Sequence, residues 1–542
     1  MLDQDGQASF VGDTASSWPA RFPGFGPDAP LDMWSASDAE VAGMRARVLD
    51  GSWRAFSETA AKVGNCSAPI RLAGRSMTFE NLNGEPGALL SEFSHRDTPL
   101  GTLHVACGNR RAEVCPACSR VYARDTFEMI RAGVLGGKTV PDTVAANPLV
   151  FATFTAPSFG HVHGLRVGKN GQPGRCRPRD TAKRCPHGRP VGCNRVHGED
   201  DPMLGAPLCW DCYDFTSAVI WQWWAPELWR RFTITFRRRL AARLGVSQAA
   251  FARSASVQFA KVAEYQRRGL VHFHALIRLD GPDGPGSPAP LDGDALAAVV
   301  AEAGPLVTFD APPVDGDDIA RTLRFGAQLD VKRVRTGEVH DSAGGTGDRL
   351  RPEQVAGYLA KYSTKSTGVD PASPTPHLSR LEREARYLAD RAASTCRDTA
   401  TPEEAEDDGC VCGRCEDSPY RLLAKWSRML GFRGHFSSKS RAYSISLGRL
   451  RRARARFARL SAEADRRGER LDLADLEARL LADDADEETT LVIGAWTYAG
   501  TGWTNPGDKA LADAAADRAR QYDQWRAQQR RNGKQTTNEG GR

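Results

Sequence analysis

Glu264, His272 and His274 lie in one short stretch, Glu264-Tyr265-Gln266-Arg267-Arg268-Gly269-Leu270-Val271-His272-Phe273-His274-Ala275-Leu276-Ile277. It reads as two strands joined at Arg268-Gly269. Val257, Phe259, Val262 and Tyr265 supply β-prone residues to the first, and Leu270, Val271, Phe273, Leu276 and Ile277 to the second. Side chains alternate along a strand, so His272 and His274 share one face and Phe273 takes the other. Two imidazoles on one face, with the Glu264 carboxylate arriving from the partner strand, make a three-ligand site for a divalent metal. Taken alone, an H-x-H pair is equally well explained as two structural histidines in a hairpin.

A second stretch shifts that balance. Pro352 to Lys365 reads as a helix, with Pro352 suited to its first turn and Gly368 to its stop. Tyr358 and Tyr362 are four apart and share one helical face, flanked by Lys361 and Lys365. Core packing could account for two tyrosines, but core positions rarely want two lysines beside them. A phenolic oxygen is a competent nucleophile, and the lysines would offset the charge of a phosphate near it.

The two motifs together, His-hydrophobic-His followed by Y-x-x-K-Y-x-x-K, resemble the HUH endonucleases, specifically rolling-circle replication initiator (Rep) proteins. Val150-Phe151-Ala152-Thr153-Phe154-Thr155 is similar to their first motif, an apolar-threonine strand. The chain looks more broadly like actinobacterial plasmid initiators of the RepSA type, from about Cys107 to Gly431-Phe432-Arg433-Gly434-His435-Phe436-Ser437. The resemblance implies an antiparallel sheet with the histidines on a central strand and the tyrosine helix packed beneath; periodicity alone says only α+β. It implies Mg²⁺ or Mn²⁺ on His272, His274 and Glu264, with Mn²⁺ the better match to nitrogen. It also implies a 5′-phosphotyrosine, plasmid origin DNA as substrate, and a host helicase and DNA polymerase as partners. Relatives with one active tyrosine match Tyr362, and some carry a glutamate where this chain has Tyr358, a departure that favours two nucleophiles. A transposase or relaxase of the same chemistry, or a zinc-containing DNA-binding regulator without catalysis, would share parts of the pattern.

The remaining sequence must position and stabilise these groups. With 542 residues the chain has room for roughly three or four domains. No segment approaches the ~20 apolar residues of a membrane span, and the N-terminus lacks a signal-peptide pattern, so a cytoplasmic location is expected. The net charge is +6, but between Arg421 and Leu460 there are twelve Lys/Arg and no acidic residue. Trp426, Phe432, Phe436 and Tyr443 interleave with those cations, a pattern suited to phosphates and stacked bases, with Arg433, Lys439 and Arg441 as candidate DNA contacts.

Thirteen cysteines in a chain expected in a reducing compartment point to zinc rather than disulfides. Cys185, Cys193, Cys209 and Cys212 form a four-thiolate set, with Cys176, His187 and His197 as possible substitutes. Cys107, Cys115 and Cys118 form a second set without an obvious fourth ligand, and Cys410, Cys412 and Cys415 a third with too few. His161-Val162-His163 is assigned a loop role.

The expected domains are an N-terminal region (1–95), a zinc knuckle with a helix (96–145) and a nicking domain (146–370) carrying a zinc-ribbon insertion at about 176–215. A linker with an acidic patch (371–420), a mainly helical basic region (421–505), and a helix with a disordered tail (506–542) follow. Phe215 to Leu244 reads as a helix with buried tryptophans and outward arginines, and Trp496 to Pro506 as turn-rich. Ala132 to Thr139 fits a permissive phosphate-loop pattern, but a helical pattern precedes it and Pro141 follows, so it is rejected.

Overall fold

The apolar run Leu149–Phe154 (β1) is buried along nearly its whole length, as a strand covered on both faces must be. It belongs to a unit formed by residues 130–444; residues 1–129 and 445–542 form the other. The computed structural model describes residues 33–168, 171–334, 349–350, 352–363, 375–397, 418–471, 473, 475–481 and 490–539. Each unit mixes helices with largely antiparallel sheet.

In the 130–444 unit, β1 is followed by an insertion and then a long helix, Phe215–Arg243 (α1). Next come the hairpin strands Ser256–Tyr265 (β2) and Val271–Asp280 (β3), and the helix Gly293–Ala303 (α2). Leu329–Val334 (β4), Arg349–Leu350 (β5), Pro352–Ser363 (α3), Pro376–Arg397 (α4) and Ser437–Lys439 (β6) follow. The six-stranded sheet has the order β5-β4-β1-β3-β2-β6, antiparallel throughout except β4 with β5. β3 is therefore central, and its register sets Glu264 opposite His272 and Thr153 opposite His274.

One face of the sheet is buried by α1, whose Trp221, Trp223 and Trp229 are core, as their size favours. Trp229 meets Phe154 and Phe273 edge-on, at 5.7 and 6.0 Å. The arginines Arg237, Arg238, Arg239 and Arg243 of α1 face outward. The opposite face, bearing Phe151, Thr153, His272 and His274, receives α3.

The other unit joins the two ends of the chain. Ile70–Leu82 pairs antiparallel with Glu85–Ser94 and with Thr490–Thr501. The segment expected to be turn-rich from Trp496 thus begins inside a strand; a partner more than four hundred residues earlier in the chain gives it its ladder. The last helix, Pro506–Glu539, runs into the polar tail from Asn532, whose last residues, 540–542, lie outside the described residues. The basic run is divided as well. Residues up to 444 belong to the sheet unit and contribute β6, while Leu447–Arg467 is a helix of the other unit. Phe432 and Tyr443 are fully buried and Phe436 nearly so, so these rings pack the core instead of awaiting bases.

Among the described residues no helix is long and apolar enough to cross a membrane. The rejected phosphate-loop segment begins in the last turn of the helix Pro116–Leu135 and leads into a short 3-10 turn, Asp142–Ala146, not an α-helix.

Candidate active site

The hairpin places Glu264, His272 and His274 together because cross-strand neighbours on one face are the closest side chains in a sheet. Glu264 Oε2 lies 3.0 Å from His274 Nε2 and 3.9 Å from His272 Nε2. The two imidazole rings are 4.9 Å apart. Two donors on adjacent corners of an octahedral ion's shell stand about 2.9 Å apart, so the Glu264–His274 spacing fits a hard divalent cation. The donor set, two imidazoles and a carboxylate, is also one such ions accept. Glu264 and His274 are buried, and His272 is partly so.

His274 is held from three sides. Thr153 Oγ1 is 3.1 Å from its Nδ1, Phe151 stacks parallel to it at 5.7 Å, and Tyr358 meets it edge-on at 5.2 Å. Tyr358 also meets Phe151 edge-on, at 5.8 Å. Tyr358 as a whole is 39% exposed, so it stands over the histidines while still reachable by an incoming strand. Lys361 is exposed on the same helix. Tyr362 lies one turn beyond Tyr358, within α3; its side chain, like all of Lys365, is outside the described residues.

The hairpin turn is clamped by its surroundings. Gly269, at φ 78°, takes a left-handed conformation that a side chain would strain. Gln222 of α1 donates to the Gly269 carbonyl at 3.1 Å and accepts from the Val271 N–H at 2.9 Å. Arg268 donates to the carbonyls of Ala156 and Pro157, both at 2.8 Å. His377 of α4 packs its Nε2 3.0 Å from the Arg268 carbonyl. These contacts fix where β3 begins, and so where its histidines point. Nothing in the sequence singled out Gln222; its one available signal is a lone amide in the apolar run Ala218–Ala225.

The cysteines gather into sets that differ from the spacing-based ones. Cys107, Cys115 and Cys118 are joined by Cys66, which brings a fourth sulfur to the cluster from residues 1–95. Its Sγ lies 3.7 Å from that of Cys115, close to the edge of a tetrahedron with Zn–S of about 2.3 Å. Hydrogen bonding with Cys107 above all pushes the Cys118 thiol up and draws the Cys115 thiol down. The expected set of Cys185, Cys193, Cys209 and Cys212 is corrected at one position. Cys185, Cys209 and Cys212 are together, but His187 is their fourth member, its Nδ1 3.2 Å from Cys212 Sγ and 3.7 Å from Cys209 Sγ. Cys193 instead joins His163, Cys176 and His197. His163 is therefore more than a loop residue. Cys410, Cys412 and Cys415 fall outside the described residues.

The three candidate DNA contacts are placed differently from one another. Arg433 lies over Trp223 and Trp224, at 4.4 and 4.9 Å from their ring centres. Lys439 donates to the carbonyls of Ser440, Arg441 and Ser444 at 3.3, 3.2 and 2.7 Å, so its ammonium ties a turn together. Arg441 is exposed.

Similarity to known proteins agrees with the resemblance carried by the motifs. The family model of the pSAM2 replication initiator protein, RepSA, matches residues 52–517. A replication initiator protein of Streptomyces ambofaciens is 39% identical over 464 residues, covering 84% of this chain and 88% of that protein. No solved structure matches the chain. A match spanning both units and every motif above places this chain in the RepSA family of replication initiator proteins.

Proposed function

We propose that the protein initiates rolling-circle replication of a plasmid by nicking one strand of origin DNA through a tyrosine of α3, and later rejoins it. The observation that carries this is the Tyr358 ring, 5.2 Å from His274 and open to solvent, above a histidine whose Nε2 is 3.0 Å from Glu264. A nucleophile-bearing helix over a three-donor site on a central antiparallel strand is the arrangement an HUH-like nicking domain requires.

The phenolic oxygen attacks phosphorus; a P–O bond to tyrosine forms, the bond to the 3′ oxygen breaks, and the 5′ end stays on the protein. The freed 3′-OH then primes synthesis by a host polymerase, with a host helicase opening the duplex. A divalent ion, Mg²⁺ or Mn²⁺, held by Glu264, His272 and His274 would polarise the scissile phosphate and favour in-line displacement. Lys361 and Lys365 offset phosphate charge as the strand approaches. Tyr362, one turn from Tyr358, gives the second nucleophile that a closing transfer uses. The Cys66 and Cys185 sets hold structural zinc.

The test is supercoiled plasmid bearing the origin, incubated with Mn²⁺ and wild type, Tyr358→Phe, Tyr362→Phe or the double variant, with covalent 5′ attachment scored on denaturing gels. Loss of nicking and of the covalent adduct in the double variant, with DNA binding retained, is expected. Wild-type nicking by the double variant would sink the proposal in favour of a non-catalytic DNA-binding regulator.

A further inference from the structure

The insertion between β1 and α1 carries two Cys/His clusters where cysteine spacing suggested one. We infer that it binds two structural zinc ions through interleaved ligands, the second ion on His163, Cys176, Cys193 and His197. The four donor atoms lie within 4.8 Å of one another. Cys193 Sγ is 3.6 Å from His197 Nε2, and His163 Nδ1 is 3.1 Å from the same nitrogen. Tetrahedral edges about zinc run from about 3.3 Å between nitrogens to about 3.8 Å between sulfurs. His197 is 1% exposed, and its other nitrogen, Nδ1, is 2.7 Å from Asp201 Oδ2. A carboxylate behind an imidazole in this way fixes the ring and aims the free nitrogen at a metal. The Gly164 N–H donates to Cys176 Sγ at 3.2 Å, a bond that suits a thiolate.

The order along the chain is what makes the pair more than two separate knuckles. His163 and Cys176 open one site; Cys185 and His187 open the other; Cys193 and His197 close the first; Cys209 and Cys212 close the second. Each ion thus closes a loop that contains half of the other's ligands. The strands here, Arg166–Val167, Pro173–Arg177 and Cys193–Val196, have two, five and four residues, too short to hold a sheet without help. The metal pair replaces the core that the insertion lacks.

Zinc bound per chain would be measured by mass spectrometry on full-length protein, alongside Cys193→Ser, Cys66→Ser and Asp201→Asn. Cys193→Ser should lose at least one equivalent relative to wild type, and Cys66→Ser one from its own site. Asp201→Asn removes no ligand and should keep the fold, but release one equivalent to a chelator about 10- to 100-fold more readily. Unchanged zinc content in Cys193→Ser, or unchanged chelator release in Asp201→Asn, would overturn the second site.

A different observation carries a second inference. Arg166, Arg175, Arg179, Arg184, Arg189 and Arg195 of the insertion are exposed, and none forms an ion pair among the described residues. Equally exposed arginines elsewhere, Arg230, Arg386 and Arg467, each hold a carboxylate. From His163 to His197 the sequence has nine Lys/Arg and one acidic residue, Asp180. Six exposed guanidinium groups on so short an insertion make it strongly cationic, which suits a polyanion. We propose that it grips the backbone of duplex DNA, apart from the site bearing the tyrosines; the choice of DNA rests on the proposed function. Duplex affinity against salt would be measured for wild type and for Arg175→Glu/Arg184→Glu/Arg189→Glu, with cleavage of a single-stranded oligonucleotide followed in parallel. The expected result is at least tenfold weaker duplex binding, a shallower salt slope, and unchanged zinc content. Duplex affinity equal to wild type would overturn it, whereas loss of oligonucleotide cleavage in the wild type would count against the nicking proposal instead.

Discussion

Thr153 can serve His274 in either of two protonation patterns. Without a cation, His274 Nε2–H donates to Glu264 and Nδ1 accepts from the threonine hydroxyl; with one, Nδ1–H donates to Thr153 and leaves Nε2 free to ligate. Thr153→Val is nearly isosteric but can do neither, so Mn²⁺ affinity measured by titration calorimetry should fall about 10- to 100-fold, and Thr153→Ser should restore most of it. Equal affinity in wild type and Thr153→Val would leave the threonine no part in orienting the ring. On the sheet's other face, Lys261 is buried against Phe273, its ammonium 4.3 Å from that ring, and burial pulls its pKa down to about 7. The unfolded chain keeps this proton up to about pH 10.5, so between about pH 7 and 10.5 it binds more protons than the folded one, and stability rises with pH there. Below about pH 7 both states are charged and the burial cost is complete. Lys261→Met should therefore raise the free energy of unfolding most at or below pH 7, by on the order of a few kcal/mol, and the gain should shrink toward pH 10. A gain that does not change with pH would mean that Lys261 is not buried as an ammonium. At this scale the histidines and Glu264 were legible, because a period of two and one tight turn fix their faces. Cys66 was not, since its partners begin forty-one residues later and no local pattern links them.

The hairpin strands announce themselves by alternation, but their placement depends on an amide that a sequence reading passes over. Gln222 is fully buried in α1 and bridges the Gly269 carbonyl and the Val271 N–H across the open end of the turn. Gln222→Leu keeps the volume and the helix propensity but strands two backbone groups, at about 1–3 kcal/mol each. The variant should lose about 2–4 kcal/mol of stability in chemical denaturation and, through displacement of His272 at the start of β3, nick more slowly than its residual fold would predict. If stability drops while the nicking rate of the folded fraction is untouched, the clamp holds the fold but not the site. The same limit applies to the basic run around Arg433. Interleaved aromatics and cations look alike whether the rings await bases or fill a core, and only the neighbours decide; here Phe432 and Phe436 pack against Tyr265 at 6.4 and 5.8 Å. Likewise α3 was readable as a helix from its start signal and its tyrosine spacing, while the face it presents to β1 follows from Phe151, a residue with no chemical signature of its own.

Pairing between Ile70–Leu82 and Thr490–Thr501 makes the 1–129 and 445–542 segments one folding unit, and no periodicity could reveal a partner so distant in the chain. One local trace of it exists: Gly74, at φ 153°, a conformation side chains rarely adopt, where a Cβ would also collide with the Ala495 carbonyl of the far strand. The C-terminal segment does more than add a strand. Asp508 holds Arg47 in a pair with Nη2–Oδ2 of 2.6 Å, Asp523 holds Arg120, and Trp503 donates to the Cys66 carbonyl at 2.9 Å while packing against the cysteine cluster. Deleting residues 490–542 therefore removes an edge strand, two ion pairs and one wall of the four-thiol site at once. The truncated chain should show protease cleavage spreading through residues 33–129 and should hold one zinc equivalent fewer than the full chain, while cleavage sites within 130–444 stay as they were. Buried apolar and thiol surface would drive that outcome more than the Arg120–Asp523 pair, since those side chains are only partly screened from water and such pairs contribute little. Arg120→Ala in the full chain should accordingly leave both the protease pattern and the zinc content near wild type. A truncated chain that keeps its zinc and its resistance to protease would mean that residues 33–129 fold without the C-terminal strand and helix.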